Sequence, residues 1–138
     1  MVVLNNTADF RILVVDDRKE VLRVMSDLLE RQGFFVRTAQ NGLDALNRIK
    51  SDRYISLVLL DLWMPIMDGY EFLWRKKTDP DIAEIPVVVI SATPPASLEG
   101  VEKVLTKPID LEQLMETVRR YFWSREISIR DRASATDR

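Results

Sequence analysis

A chain of 138 residues that is 46% hydrophobic and 30% charged has enough apolar surface for one globular core and too much for global disorder. Its formal net charge of −2 leaves no nucleic-acid footprint and no polybasic membrane surface. With no cysteine and no histidine, the chain has no disulfide, no thiolate or imidazole metal site, no Cys nucleophile, no His general base and no phosphohistidine of its own.

The start, MVVLNNTADF, lacks the basic region and apolar core of a signal peptide. No apolar run approaches the ~20 residues of a membrane span, so a soluble cytoplasmic protein is expected. Ile12 to Val15 is a solid apolar run, short enough for a buried strand. Arg18 to Gln32 follows as a helix, with Val21, Val24, Met25, Leu28 and Leu29 on one face and Gly33 as the stop. FFVRTA reads as the second strand, and NGLDALNRIKSD as a short helix with Leu43, Leu46 and Ile49 inward. ISLVLLDL is the third strand; after a loop, Tyr70 to Lys77 forms a helix carrying Phe72, Leu73 and Trp74.

IPVVVISA, with β-branched residues through Val87 to Ile90, is the fourth strand. VEKVLTKP is a shorter fifth, ending before Pro108. The last helix has a clean period of Leu111, Leu114, Met115, Val118, Tyr121 and Phe122, with Asp110 as N-cap. The polar remainder, SREISIRDRASATDR, has no period and is expected to be a disordered tail, the alternative being a linker to an output domain. The expected organisation is an extension over 1–10, one domain over 11–123 and a tail over 124–138. Apolar strands alternating with helix-length segments indicate a parallel sheet covered on both faces.

In such a sheet, ligands bind outside the carboxyl ends of the strands. The first strand ends in Asp16-Asp17, the third in Asp61, the fourth in Ser91-Ala92-Thr93 and the fifth in Lys107-Pro108. Three carboxylates gathered at one edge repel one another unless a cation joins them. An oxygen-rich site of this kind suits Mg²⁺. With Lys107 as a point charge and Ser91 as a hydroxyl donor, the set describes a site for a phosphoryl group in transfer. The acceptor would then be a carboxylate, giving an acyl phosphate on aspartate. Taken singly, the residues have plainer readings. Asp17 with Glu20 spells a capping box for the first helix. Lys107-Pro108 is an ordinary strand exit, Asp61 a turn or cap residue, and Asp68-Gly69 a turn in which Gly69 takes a positive φ or opens a helix. The specificity lies in the combination.

The segment DLWMPIMDG follows D-x-x-M-P-x-M-D-G at every fixed position, and VVDD and KP stand in the matching order around it. On these motifs the chain, from about Arg11 to Phe122, resembles the receiver domains of two-component response regulators. The resemblance implies a doubly wound, flavodoxin-like α/β fold with five parallel strands in the order 2-1-3-4-5. It implies that Asp61 is the phosphoacceptor and that Asp16, Asp17, Asp61 and the backbone carbonyl of Trp63 hold Mg²⁺, with Asp17 as the direct ligand of the acidic pair. Lys107 would pair with the phosphoryl oxygens, and Ser91 would bond to them on activation. The phosphodonor would be a histidine kinase or phosphotransfer protein, necessarily another chain, and the output a downstream protein or a homodimer. No nucleic-acid partner, membrane partner, output domain or turnover enzyme activity is expected.

Two departures from the family pattern stand out. Val104 occupies the position, three residues before the lysine, where a Tyr or Phe is usual. Only fifteen residues, Ala92 to Thr106, separate Ser91 from Lys107, and Pro94-Pro95 restricts them further, so the fourth helix is expected to be short or missing. Both departures favour the runner-up, a phosphorylation-independent interaction module acting through a remodelled helix-four region, while the intact acidic pocket argues against it. An aspartyl phosphatase or phosphotransferase ranks last, because such enzymes place a second Asp where Trp63 stands. Trp63 reads either as a partly exposed loop aromatic with no special role or as a side chain that restricts the attacking water and lengthens the phosphoryl lifetime, and the first helix near Arg18, Leu22 and Met25 is a candidate docking face for a kinase.

Overall fold

In a computed structural model that describes residues 7–136, with side chains to residue 132, the strands are β1 (Arg11–Val15), β2 (Phe35–Ala39), β3 (Ile55–Leu60), β4 (Val87–Ser91) and β5 (Lys103–Thr106). The helices are α1 (Lys19–Arg31), α2 (Gly42–Ser51), α3 (Gly69–Lys77) and α4 (Leu111–Thr136). The first six residues of the expected extension and the last two of the expected tail lie outside the described residues. The chain divides into two compact units, Met1–Pro108, which carries the whole sheet, and Ile109–Arg138, which carries α4.

All pairings are parallel, in the order β2-β1-β3-β4-β5. The period of two along each strand sorts side chains to opposite faces. Leu13, Val15, Val58, Leu60, Val87 and Val89 share a core with α2 and α3, through Ala45, Leu46, Ile49, Phe72 and Leu73. The alternate residues Ile12, Val14, Leu57, Leu59, Val88 and Ile90 are equally buried on the other face. There α1 lies along β1 and β2 and buries Leu22, Met25 and Leu29. Each such side chain contributes about 1.5–3 kcal/mol on burial.

Local sequence sets the helix ends. Gly33, at φ 95°, closes α1: its N–H donates to the Glu30 carbonyl at 2.9 Å, and the Phe34 N–H donates to the Leu29 carbonyl at 3.1 Å, the paired bonds of a Schellman motif. Asn41, Asp68 and Asp110 each accept a backbone N–H three residues on, at 2.8, 2.9 and 3.2 Å, and so open α2, α3 and α4.

Several expectations need correction. The Asp17–Glu20 capping box does not form; the N-cap is Arg18, whose side chain makes no capping bond. Leu43 is 44% exposed, and Ala45 takes the inward place, because the buried stripe runs through Gly42, Ala45, Leu46 and Ile49 at helical spacing and leaves position 43 outside it. On α1, Val24 is 57% exposed while Leu22 and Met25 are buried, so those two do not form an exposed docking face.

No helix lies between β4 and β5, as the short Ala92–Thr106 span requires. The region expected as a disordered tail is helical instead, since α4 runs on to Thr136. It holds no Gly or Pro, and four of its residues are Arg and two are Ala, strong helix formers. Apolar periodicity reports buried stripes, and the extension has none: Ile127 and Ile129 are 57% and 43% exposed. Among the described residues, no helix is long and apolar enough to cross a membrane.

Candidate functional site

The sheet's hydrogen bonding continues one residue past three strand ends. The Asp16 N–H donates to the Ala39 carbonyl at 3.1 Å, the Asp61 N–H to the Val15 carbonyl at 3.0 Å, and the Lys107 N–H to the Ser91 carbonyl at 2.9 Å. Since Val15 pairs with Leu60 and Ser91 with Thr106, these bonds hold the backbones of Asp16, Asp61 and Lys107 along one edge. The side chains converge there. Oxygens of Asp16, Asp17 and Asp61 lie within 4.8 Å of one another. Lys107 Nζ donates to Asp16 Oδ2 at 3.1 Å and stands 3.7 Å from Asp61 Oδ1.

A second cation, missed as a site residue in the sequence reading, is Arg18. Its backbone N–H donates to Asp16 Oδ1 at 2.9 Å, and its Nε and NH2 lie 3.3 Å from the two Asp16 oxygens. The available signal was its position, directly after an acid pair at a strand exit. Asp16 is 3% exposed and Asp61 9%, whereas Asp17 is open to solvent. Burial pushes the Asp16 carboxyl up, but Arg18 and Lys107 outweigh it and leave the group below its ordinary range. Burial also pushes Asp61 up. Lys107, the Trp63 N–H and Arg18 pull it back, the Asp16 charge adds to the rise, and Asp61 ends above its ordinary range. Arg18 in turn is held above its usual value by its bonds to Asp16. Three carboxylates thus face two cations, an all-oxygen donor set with negative charge in excess. Those donors fit a hard divalent ion such as Mg²⁺.

The loop after Asp61 is clamped by two glycines. A Cβ on Gly69 would stand 2.8 Å from the Asp61 carbonyl oxygen and from Leu62 Cα, and one on Gly42 would stand 2.8 Å from the Met67 carbonyl oxygen. The N–H of Gly69 donates to Leu62 O at 2.9 Å, and that of Gly42 to Met67 O at 2.7 Å. Gly69 therefore opens α3 rather than taking a positive φ; the positive φ in this loop, 70°, belongs to Ile66. Trp63 is 60% exposed, and its ring leans on Tyr70 with centroids 5.6 Å apart. Ser91 is fully buried at the end of β4, where its hydroxyl accepts the Thr93 N–H at 3.2 Å. Val104 is partly buried against the core beneath.

Over residues 12–119 the chain matches the family model of the response regulator receiver domain. It is 34% identical over 118 residues to the two-component response regulator ORR5 of Oryza sativa subsp. japonica, covering 79% of this chain and 88% of that protein. It is 35% identical over 124 residues to the sensor histidine kinase RcsC of Escherichia coli, spanning 86% of this chain but only 13% of the kinase. The solved structure of the chemotaxis protein CheY4 of Vibrio cholerae superposes with a TM-score of 0.73 at 26% identity, covering 80% of this chain and 97% of that one. The family match runs through every strand exit that builds the acidic edge, and the chain belongs to the response regulator receiver domains.

Proposed function

We propose that the chain accepts a phosphoryl group on Asp61 from a phosphohistidine of a histidine kinase or phosphotransfer protein. The observation that carries this reading is the convergence of the Asp16, Asp17 and Asp61 oxygens within 4.8 Å, beside the Lys107 ammonium. A carboxylate oxygen of Asp61 attacks phosphorus, the new O–P bond forms as the donor's N–P bond breaks, and the departing imidazole takes a proton from solvent. Lys107 offsets the charge that collects on the phosphoryl oxygens. Mg²⁺, held by Asp16, Asp17, Asp61 and the Trp63 carbonyl, would supply further charge stabilisation when bound. Arg18 holds Asp16 ionised for that duty.

The aspartyl phosphate adds nearly two negative charges. Ser91 then exchanges its bond with the Thr93 N–H for a phosphoryl oxygen, and the shift is read by a downstream protein partner in the cytoplasm. Val104 and the helix-free connection before β5 bear on how that shift is read, not on the acceptor chemistry. In the test, the protein is incubated with Mg²⁺ and acetyl phosphate or phosphoramidate and its mass recorded. One added phosphoryl group in the wild type and none in Asp61→Asn is the expected result. An unmodified wild type, also with phosphorylated histidine donors, would overturn the reading.

A further inference from the structure

The amino-terminal end of the sheet, remote from Asp61, carries a cleft of about 450 Å³ whose lining includes Arg11, Arg37, Arg48, Lys50 and Arg53 but only one carboxylate, Asp52. Five cations against one anion is a local reversal of sign in a chain whose net charge is −2. The arginines are held in place. Asp52 Oδ2 accepts from Arg11 NH1 at 2.8 Å and from Arg37 Nε at 3.2 Å. Asp52 Oδ1 accepts the Tyr54 N–H at 3.0 Å. The Tyr54 ring has the Arg11 and Arg53 guanidinium carbons 5.1 and 4.9 Å from its centre, and its hydroxyl accepts from Arg53 NH2 at 2.8 Å.

Three guanidiniums are thus fixed around one carboxylate and one aromatic ring, with two positive charges left over. A structural ion pair explains Arg11 with Asp52. It does not explain Arg53, whose hydrogen bond goes to the Tyr54 hydroxyl and whose acidic neighbour Asp9 is not part of the lining, or the gathering of Arg48 and Lys50 beside them. Those two form only long ion pairs, with Asp44 at 3.9 Å and Asp79 at 3.8 Å, and neither acid lines the cleft. Arg11 Nε is buried without a hydrogen-bond partner. Fixed, planar guanidiniums with surplus charge match the several acceptor oxygens of a tetrahedral phosphate, two of which can take parallel N–H bonds from one arginine.

We propose that this cleft binds a compact phosphate-bearing anion, either free pyrophosphate or the diphosphate of a nucleotide, at a site separate from the phosphoacceptor edge. The binding draws on positive charge at the foot of β1, β2 and β3, and does not require Asp61.

The test uses the Asp61→Asn chain without Mg²⁺, so that the acidic edge contributes no phosphoryl chemistry. Pyrophosphate and a nucleoside diphosphate are titrated separately, following backbone amide signals by NMR and the thermal midpoint. Saturable shifts at Arg11 and residues 52–54, with a midpoint that rises with ligand, are expected. Equal affinities identify free phosphate as the sufficient ligand, and tighter nucleotide binding identifies the carrier; both support the site. Arg37→Ala combined with Arg53→Ala, two exposed positions, is expected to weaken binding at least about tenfold, the scale of one lost charge-assisted contact. No saturation with either ligand, shifts confined to Lys107 and its neighbours, or undiminished binding by the double variant would overturn the proposal. So would capture of polyglutamate with no response to pyrophosphate.

Discussion

Asp16 and Asp61 leave neighbouring strands side by side, yet their acidities are displaced in opposite directions. Both are buried; the difference lies in their cations. Asp16 has Lys107 at 3.1 Å and the Arg18 guanidinium at 3.3 Å, with the Arg18 backbone N–H at 2.9 Å, whereas Asp61 has Lys107 at 3.7 Å and the Asp16 charge beside it. Environments that separate two like groups in this way assign them different roles. In the proposed reaction Asp16 serves as a fixed anion, and Asp61 as the carboxylate that meets an incoming cation or phosphorus.

Neutralising each acid in metal-free protein should therefore move stability in opposite directions. Asp61→Asn removes an under-compensated buried charge and is expected to raise unfolding free energy by about 1 kcal/mol. Asp16→Asn strips Lys107 and Arg18 of their main acceptor and is expected to lower it by about 2 kcal/mol. Urea unfolding in the presence of a chelator measures both. Added Mg²⁺ should then raise the midpoint of the wild type and leave that of Asp61→Asn nearly unchanged.

Trp63 stands two residues past the proposed acceptor, where its N–H helps to lower the Asp61 carboxyl and its exposed ring leans on Tyr70. The ring is held at one side of the edge rather than loose in solvent. Trp63→Ala is expected to let water approach the aspartyl phosphate and to speed its decay several-fold, with Tyr70→Ala, which frees the ring, falling between. Decay followed by intact mass after donor removal decides it; a variant as stable as the wild type, or more so, would sink this role.

The strand exits were legible because a short run of apolar residues ending on a charge has few other meanings in a parallel sheet. Asp16, Asp61 and Lys107 came from that reasoning, and the missing helix before β5 from simple chain length. What escaped depends on backbone direction within a residue or two. Asp17 and Glu20 have capping-box spacing, but the turn at Asp16 makes Arg18 the N-cap and turns its guanidinium onto the acid. Leu43 and Ala45 lie two residues, about 200°, apart around α2; the buried stripe runs through Gly42, Ala45, Leu46 and Ile49, and its two small residues carry too little apolar signal to be chosen over Leu43. The α4 extension escaped because an exposed helix needs only propensity, and a search for apolar faces does not see it.

Ile66 holds a β-branched side chain at φ 70°, with the Met67 N–H closing back to the Pro65 carbonyl at 2.8 Å. That conformation costs about 1–3 kcal/mol for a non-glycine residue, and the side chain, 78% exposed, recovers little by packing. Ile66→Gly relieves the strain at an entropic cost of about 0.5–1 kcal/mol. A net gain of about 1 kcal/mol in chemical denaturation is expected, with phosphoryl incorporation unchanged. A loss of stability would show that the turn is not strained.

Asp52 supplies a pH test away from the acidic edge. Burial raises its carboxyl, but the bonds from Arg11, the Tyr54 N–H and Arg37 prevail and bring it below its ordinary 3.8. A depressed carboxyl contributes stability that is complete above the unfolded value and is lost as pH falls through the folded one. Asp52→Asn should therefore cost about 1 kcal/mol at neutral pH. The gap between wild type and variant should hold steady down to about pH 5 and close below 3.8. A gap that stays constant to low pH would mean that the loss comes from packing rather than charge.

Gly69 and Gly33 separate two reasons for glycine. At Gly33 no atom lies within 4 Å of an added Cβ, but φ is 95°, so Gly33→Ala is strained without a clash. At Gly69 the conformation is helical, but a Cβ would meet Asp61 O and Leu62 Cα at 2.8 Å, backbone atoms of the segment that positions the acceptor. Gly33→Ala is expected to cost about 1 kcal/mol and to leave acetyl-phosphate labelling of Asp61 at the wild-type rate. Gly69→Ala is expected to cost about 2 kcal/mol, in the range of overpacked sites, and to slow labelling as well, because α3 must retreat from the exit of β3. Equal labelling rates in the two variants would show that the start of α3 does not set the position of Asp61.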